Sequence, residues 1–506
     1  MNRSNEVQRR LGVILSLVYT LVGIAAGFLF TPICTAKLGQ SEYGVYTLAF
    51  SMVSYLGVFD LGFGSALIRY SARLRAQGED PRNLYGLFLR VYLIIGAVVL
   101  ALGLLVCANL NRFFSAKMTP EEIQLLGSVF LLLLINTALS FPANVFSSVI
   151  QAHEEFVFYR LVNIANSLLT PVVSTLFLFL GHGALRLIQI NVLFSVTMYA
   201  ANVLFCFKKL HIRFGFAPFP REFYKELFTF SFFLFVDLLV AQIYDGTDQI
   251  ILARVCGSTA VAVYGVGVKF ELYYQYLSAS IANIFLPHIS ALATQEGGRE
   301  EMGRIFARVG RFQFLMLSFV LSGFAVFGRE FMQLWVGPAY RDAYWIALLI
   351  MVPTLFIQAQ TIGRAILQAL NRHWVRSVMG AAVALLNIAV SIPLAIRLEG
   401  IGAALGTCIG YCIGDILFMN WYYYKKIGLD IPGCWKQFGA ILLRYVPIWA
   451  IFAAVDRLLP GDAWLLLAGK ILAAVALVLP YYLRFVLNRE ERAQALRFLK
   501  NRFPRR

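Results

Sequence analysis

Apolar residues run along this chain in long blocks separated by short polar punctuation, and the blocks are too long for the interior of a soluble domain. A helix crosses the hydrocarbon layer of a bilayer with about 20 apolar residues. By that length fourteen spans are predicted, near residues 11–36, 43–68, 84–108, 123–149, 157–181, 184–207, 223–255, 259–292, 309–328, 343–369, 376–396, 401–424, 437–456 and 463–486. Lipid offers backbone amides no partner, so each block has to close its own hydrogen bonds as a helix. Barrel strands would be shorter and would alternate. No connection exceeds about two dozen residues, which leaves no room for a separate soluble catalytic domain. Arg9 and Arg10 precede an apolar stretch too long for a signal peptide, so that stretch reads as the first span.

The pattern occurs twice. Gly39, Tyr46, Tyr55 and Arg90 return 218 positions later as Gly257, Tyr264, Tyr273 and Arg308. Gln151, Ser174 and Gly183 return 217 positions later as Gln368, Ser391 and Gly400. Each copy holds six spans, an even number, so both copies enter the membrane from the same side and are parallel repeats. The expected architecture is an all-α polytopic membrane protein. It has a six-helix lobe over residues 1–210, a second over 211–428, and two extra spans with a basic tail over 429–506. Two such bundles in one membrane are expected to enclose a cleft where a transporter works.

Composition sharpens this picture: 59% of residues are hydrophobic and only 14% are charged. The formal charge of +17 would suggest nucleic acid, but its distribution points to a bilayer. Of 44 Lys and Arg, 30 lie on the side that holds the N-terminus, nine lie on the other, and five lie within spans. That is the positive-inside bias, and it predicts a cytoplasmic N-terminus and, after an even number of spans, a cytoplasmic C-terminus. The basic tail from Arg484 to Arg506 suits anionic headgroups.

Charges at membrane depth cost about 2.5–3.5 kcal/mol each on insertion scales, so they face water or a partner. Asp237, Asp245 and Asp248 fall on one helical stripe of the seventh span. Lys269 leads a stripe continued by Tyr273, Tyr276, Ser280 and Asn283, with Glu271 on another face of the same helix. The tenth span carries Gln358, Gln360 and Arg364. At the matching positions the first copy has Tyr19 for Asp237, Gly27 for Asp245, Ser51 for Lys269, Val53 for Glu271 and Ser147 for Arg364. Duplication explains shared glycines and tyrosines, and it does not explain ionic groups gained by one copy. The functional polar cluster is therefore expected in the second lobe. Its cations, Lys269 and Arg364, suit phosphate, and its acids suit coupling to a proton or sodium ion. The alternative is internal pairing that only locks helices together; for Arg364 it is also snorkelling to the interface, and for Asp248 solvation at the outer end. Asp60 opens Asp60-Leu61-Gly62-Phe63-Gly64 and either caps a bend or lines the cleft. Asp415 has no evident partner in the sequence.

No metal site or cofactor motif is found. Seven cysteines include no CxxC pair, and Cys408 and Cys412 read as packing residues. There is no HExxH, Walker loop or GxSxG, which argues against an enzyme. The lone Asp245-Gly246-Thr247-Asp248 falls short of the paired acid-rich motifs of membrane prenyl transferases.

The segment Leu38-Gly39-Gln40-Ser41-Glu42-Tyr43-Gly44-Val45-Tyr46, followed by Asp60 through Tyr70, resembles the start of the bacterial polysaccharide-export flippases. These are the Wzx-like members of the multidrug/oligosaccharidyl-lipid/polysaccharide exporter superfamily. The run from Asp248 through Gly257 to Tyr264 is similar to that family's second-half pattern, and the six-plus-six-plus-two layout also fits. The resemblance implies a V-shaped two-lobe transporter of the bacterial inner membrane. It implies that an undecaprenyl-diphosphate-linked oligosaccharide moves from the inner to the outer leaflet by alternating access, with a cationic cavity holding the diphosphate. A lipid II flippase and a cation-coupled multidrug exporter are alternatives within the superfamily; a membrane glycosyltransferase or polymerase is the alternative from another class.

Overall fold

The structure, a computed structural model, describes residues 3–493 apart from residues 296, 373, 462 and 490. For some helical residues, Asp237, Asp245 and Asn283 among them, it describes the backbone alone. Residues 494–506, most of the predicted basic tail, lie outside the described residues. The described chain is helical, with no β-strand among the described residues. The predicted spans fall mostly on helix, the second interrupted by a turn at Leu61–Gly62 and the tenth broken at Gln360. Ten helices are long and apolar enough to cross a membrane among the described residues. Two of these, over residues 11–76 and 374–427, each cover two predicted spans.

The chain divides into two compact units, Met1–Val266 with Gly380–Gly406, and Gly267–Met379 with Thr407–Arg506. The first unit holds α1 (Arg3–Gly57), α2 (Phe63–Ala76), α3 (Arg82–Phe114), α4 (Pro120–Ala152), α5 (Phe156–Phe179), α6 (Ala184–Lys208) and α7 (Arg221–Val255). It also takes the first residues of α8 (Ser258–Leu292) and the middle of α12 (Trp374–Tyr411). α7 is hydrogen-bonded into the first unit. Tyr70 on α2 donates to Glu226 at 2.9 Å, Ser51 on α1 donates to the Gly246 carbonyl at 2.9 Å, and the Tyr55 and Thr247 hydroxyls meet at 2.6 Å. The second unit holds the rest of α8, α9 (Gly298–Val336), α10 (Asp342–Ala359), α11 (Thr361–Ala369), both ends of α12, α13 (Met419–Tyr422), α14 (Ile431–Leu458) and α15 (Trp464–Tyr481).

Local chemistry sets the ends. α4 opens on a capping box, in which Thr119 and Glu122 exchange side-chain and backbone hydrogen bonds and Pro120 takes the first turn. Gly39, at φ 74° and ψ 175°, interrupts α1 in a region only glycine occupies readily, which separates the first two spans. Positive φ recurs at the offsets of the sequence repeat, at Gly39 and Gly257, at Glu154 and Asn371, and at His211 and Gly428. Aromatic contacts fill each core. In the first unit the Phe63 ring meets Phe88 and Tyr92 edge-on at 5.9 and 6.1 Å, and in the second Phe314 stacks on Phe438 at 4.2 Å. Large apolar side chains also stand on the outside along most helices, as a lipid-facing surface requires and a water-facing one would not tolerate.

Within the first unit α1 touches the start of α8 at Gly44, where a Cβ would run into the Ser258 backbone carbonyl. Backbone cannot swing aside as a side chain can. Gly44→Val is therefore expected to lose about 1–3 kcal/mol or more, read as a lowered thermal midpoint in detergent, whereas Gly439→Val, at a glycine with open space around it, is expected to be neutral in the same assay.

Candidate functional site

A polar network is built in the second unit where α10 gives way to α11. The helix breaks at Gln360, with φ −102° and ψ 19°. Thr361 begins α11 by donating its hydroxyl to the Gln358 carbonyl at 2.6 Å. One turn on, Arg364 folds back, and its Nη2 donates to Gln358 Oε1 at 2.8 Å and to Thr361 Oγ1 at 3.2 Å. Ser278 of α8 meets Thr361 Oγ1 at 3.0 Å and donates to the Gln358 carbonyl at 3.1 Å. Gln313 of α9 donates to Ser278 Oγ at 3.1 Å. Ser278 and Gln313 are wholly buried, so this network binds four helical segments in a dry interior where an unmade bond is costly.

The other wall comes from α12 and its continuation. Arg376 lies near the start of α12. Beyond Tyr411 the helix widens into π turns over Cys412–Phe418 and again over Tyr423–Ile427, which carry Asp415 and Tyr423. π turns are rare and gather at functional sites. Arg376 Nη2 stands 3.9 Å from Asp415 Oδ1. A small cavity of about 10 Å³ is lined by Ile357, Gln360, Arg364, Arg376, Asp415, Met419 and Tyr423. Gly363 fits here because a Cβ would meet the Tyr423 ring at 2.6 Å.

The predicted residues fall in three places. Gln358 and Arg364 come together in this network. Lys269, Glu271, Tyr273 and Tyr276 lie elsewhere on the second unit's part of α8. Lys269 and Tyr273 are half-buried there, and Tyr276 is exposed. Glu271 is buried, and its Oε1 accepts from Tyr411 at 2.6 Å, from Gln275 at 3.0 Å and from Thr354 at 3.5 Å. Asp248 and Asp60 belong to the first unit. Asp248 is buried and accepts from the Tyr264 hydroxyl at 2.6 Å. Asp60 closes the 3-10 turn Val58–Asp60 ahead of left-handed Leu61 and Gly62, and it accepts from Tyr92 at 2.8 Å and from Asn144 at 3.3 Å. The side chains of Asp237, Asp245 and Asn283 lie outside the described residues, although their backbone is helical.

Sequence reasoning missed Ser278, Thr361, Gln313 and Arg376. Asp415 has no evident partner in the sequence; antiparallel pairing of the eleventh and twelfth spans puts Arg376 beside it. A second ionic group was also missed. Lys470 of α15, 3% exposed, donates to Glu330 of α9 at 2.6 Å and to Asp456 of α14 at 3.2 Å.

The profile of the polysaccharide biosynthesis protein family matches residues 11–293. A protein of Shigella flexneri described as "Putative O-antigen transporter" is 21% identical over 412 residues, covering 80% of this chain and 94% of that protein. Among solved structures, the lipid II flippase MurJ in an inward closed conformation aligns with a TM-score of 0.72 at 16% identity, covering 93% of this chain and 97% of that one. An inward-facing MATE-family multidrug transporter of the MOP superfamily aligns with a TM-score of 0.68 at 16% identity, covering 83% and 96%. The chain therefore shares its fold with these two solved structures.

Proposed function

We infer the function from one premise: the chain belongs to the polysaccharide biosynthesis protein family. It is a multi-pass membrane protein, and it flips an undecaprenyl-diphosphate-linked oligosaccharide from the cytoplasmic to the outer leaflet of the bacterial inner membrane by alternating access, for export of a surface polysaccharide. Both termini are cytoplasmic. The observation that carries this reading is the buried ionic and polar network of the second unit, in an otherwise apolar helical fold. Such groups are expensive in lipid and are kept where cargo or coupling needs them. The O-antigen transporter relative supports the choice of cargo.

Lys269 is the primary cation for the diphosphate, and Tyr273, Tyr276 and Asn283 continue its stripe toward the sugars, whose rings stack well on aromatic faces. Gln358 and Arg364 hold each other at 2.8 Å, so they are secondary contacts in a state that opens their network. Glu271 is the leading coupling acid, because three neutral donors converge on one buried carboxylate oxygen. Asp60, Asp237, Asp245 and Asp248 are further candidates for proton or sodium coupling. The acid stripe of α7 favours one second reading, a cation-coupled drug exporter, since organic cations want carboxylates.

The test is mass analysis of polyprenyl-linked intermediates in a deletion strain. Lipid-linked repeat units should accumulate on the cytoplasmic leaflet while surface glycan disappears. Normal surface glycan with raised drug sensitivity would replace this reading with the exporter; accumulation of the peptidoglycan precursor would replace it with a lipid II flippase.

A further inference from the structure

We propose that the cavity between α10–α11 and the π-helical end of α12 is a binding site for a single small anion of chloride size. Its lining is rich in donors: Gln360 offers an amide, Arg364 and Arg376 offer guanidinium groups, and Tyr423 offers a hydroxyl, while Asp415 supplies the one carboxylate. Two of these donors, Gln360 Nε2 and Arg364 Nε, are buried without any hydrogen-bond partner. Gln360 is 5% exposed. Buried donors are almost always satisfied in folded proteins, so two orphans on residues that line one cavity point to a missing acceptor.

Charge agrees with this. The two guanidinium groups face one carboxylate, and Asp415 stands by Arg376. Arg364 hydrogen-bonds to the neutral oxygens of Gln358 and Thr361, and it shares Asp415 with Arg376 as the nearby carboxylate. The lining of the cavity therefore carries two guanidinium groups against one carboxylate, an excess of one positive charge that a small anion would balance. Size narrows the choice further. Space of about 10 Å³ admits the centre of about one water-sized particle. A phosphate is too large for it. A cation would meet mostly donors, and a water would leave the excess positive charge of the lining unbalanced.

Backbone geometry points the same way. Both walls are irregular where they line the cavity, at the Gln360 break and at the π turns. The first copy has neither feature. There α4 and α6 run through as regular helices, and the positions 217 residues earlier are Ala143 for Gln360, Ser147 for Arg364, Tyr159 for Arg376 and Met198 for Asp415. The two guanidinium groups, the carboxylate and both backbone distortions thus occur in one copy and not at the matching positions of the other. Anion occupancy of this site can be tested without reference to what the protein transports.

The full-length protein in nanodiscs is compared in sodium chloride, sodium bromide and sodium gluconate at matched ionic strength, and bromide-soaked crystals are examined for anomalous scattering. The thermal midpoint should rise with halide and not with gluconate, and a bromide peak should lie among Gln360, Arg364 and Tyr423. Gln360→Leu should raise the half-saturating chloride concentration about tenfold, the effect of losing one hydrogen bond to a charged group. Arg364→Gln should abolish the halide response while the protein remains monodisperse; where that variant fails to fold, the bromide map of the unaltered protein decides alone. Equal midpoints in chloride and gluconate, or bromide confined to the surface with water in the cavity, would overturn the assignment. None of these readouts needs transport, so a failed flippase reading leaves them intact.

Discussion

Reversing the charge of Lys269 is expected to abolish glycan export while the protein still reaches the membrane. At an effective dielectric near 20, a unit charge about 5 Å from a phosphate charge is worth about 3 kcal/mol. Changing its sign therefore shifts the balance by about 6 kcal/mol, and even half of that exceeds a hundredfold in affinity. Lys269→Glu should then show less than about a hundredth of normal surface glycan. Lys269→Arg should retain most of it, because a guanidinium still meets phosphate. Lys269 is half-buried, so the neutral Lys269→Gln should express normally and give an intermediate defect. Pulse-labelled surface polysaccharide, scored against protein level by immunoblot, reads all three. Normal export by the reversed variant would remove Lys269 from the route and leave the α8 stripe as packing.

The helices were legible because lipid leaves the backbone no other choice. The apolar windows of span length became mostly helix, down to the pair that ends the chain. The breaks were less so. Proline does not mark them: Pro142, Pro171, Pro287, Pro353, Pro447 and Pro480 sit inside helices, and Pro393 lies six residues before the kink of α12 at Glu399. The break that matters for the candidate site falls at Gln360, and the π turns begin at Cys412, where no proline stands. Those distortions are settled by side chains reaching across from other helices, which a one-dimensional pattern does not contain. The same limit governs the ionic groups. Arg364 and Gln358 are six residues apart on neighbouring helical segments, and their union follows from one local break. Asp415 finds Arg376 only after a chain reversal, and α7 joins the first unit through hydroxyl contacts to α1 that no periodicity encodes.

Lys470 gives the largest stability effect expected in the molecule. Its amine sits 3% exposed between Glu330 and Asp456, and so ties α15 to α9 and α14 within the second unit. Asp456 keeps more than a third of its side chain in solvent, so its share is weak. Glu330 is the partner that counts: it is 10% exposed, and its second carboxylate oxygen, Oε1, is buried without a hydrogen-bond partner. Lys470→Met would strand that carboxylate in an apolar surround, and removing one partner of a buried pair costs about 3–5 kcal/mol. Replacing both, with Lys470→Met and Glu330→Met together, exchanges the pair for packing of similar volume and is expected to recover most of that loss. The double-mutant cycle measures the coupling directly. Thermal unfolding in detergent gives the four stabilities, and limited proteolysis after Leu458 reports whether α15 has come loose from its neighbours. A Lys470→Met variant as stable as the parent would mean that Glu330 finds water or a proton at no cost; the cluster would then be a solvated surface group and not the fastening of the last helix.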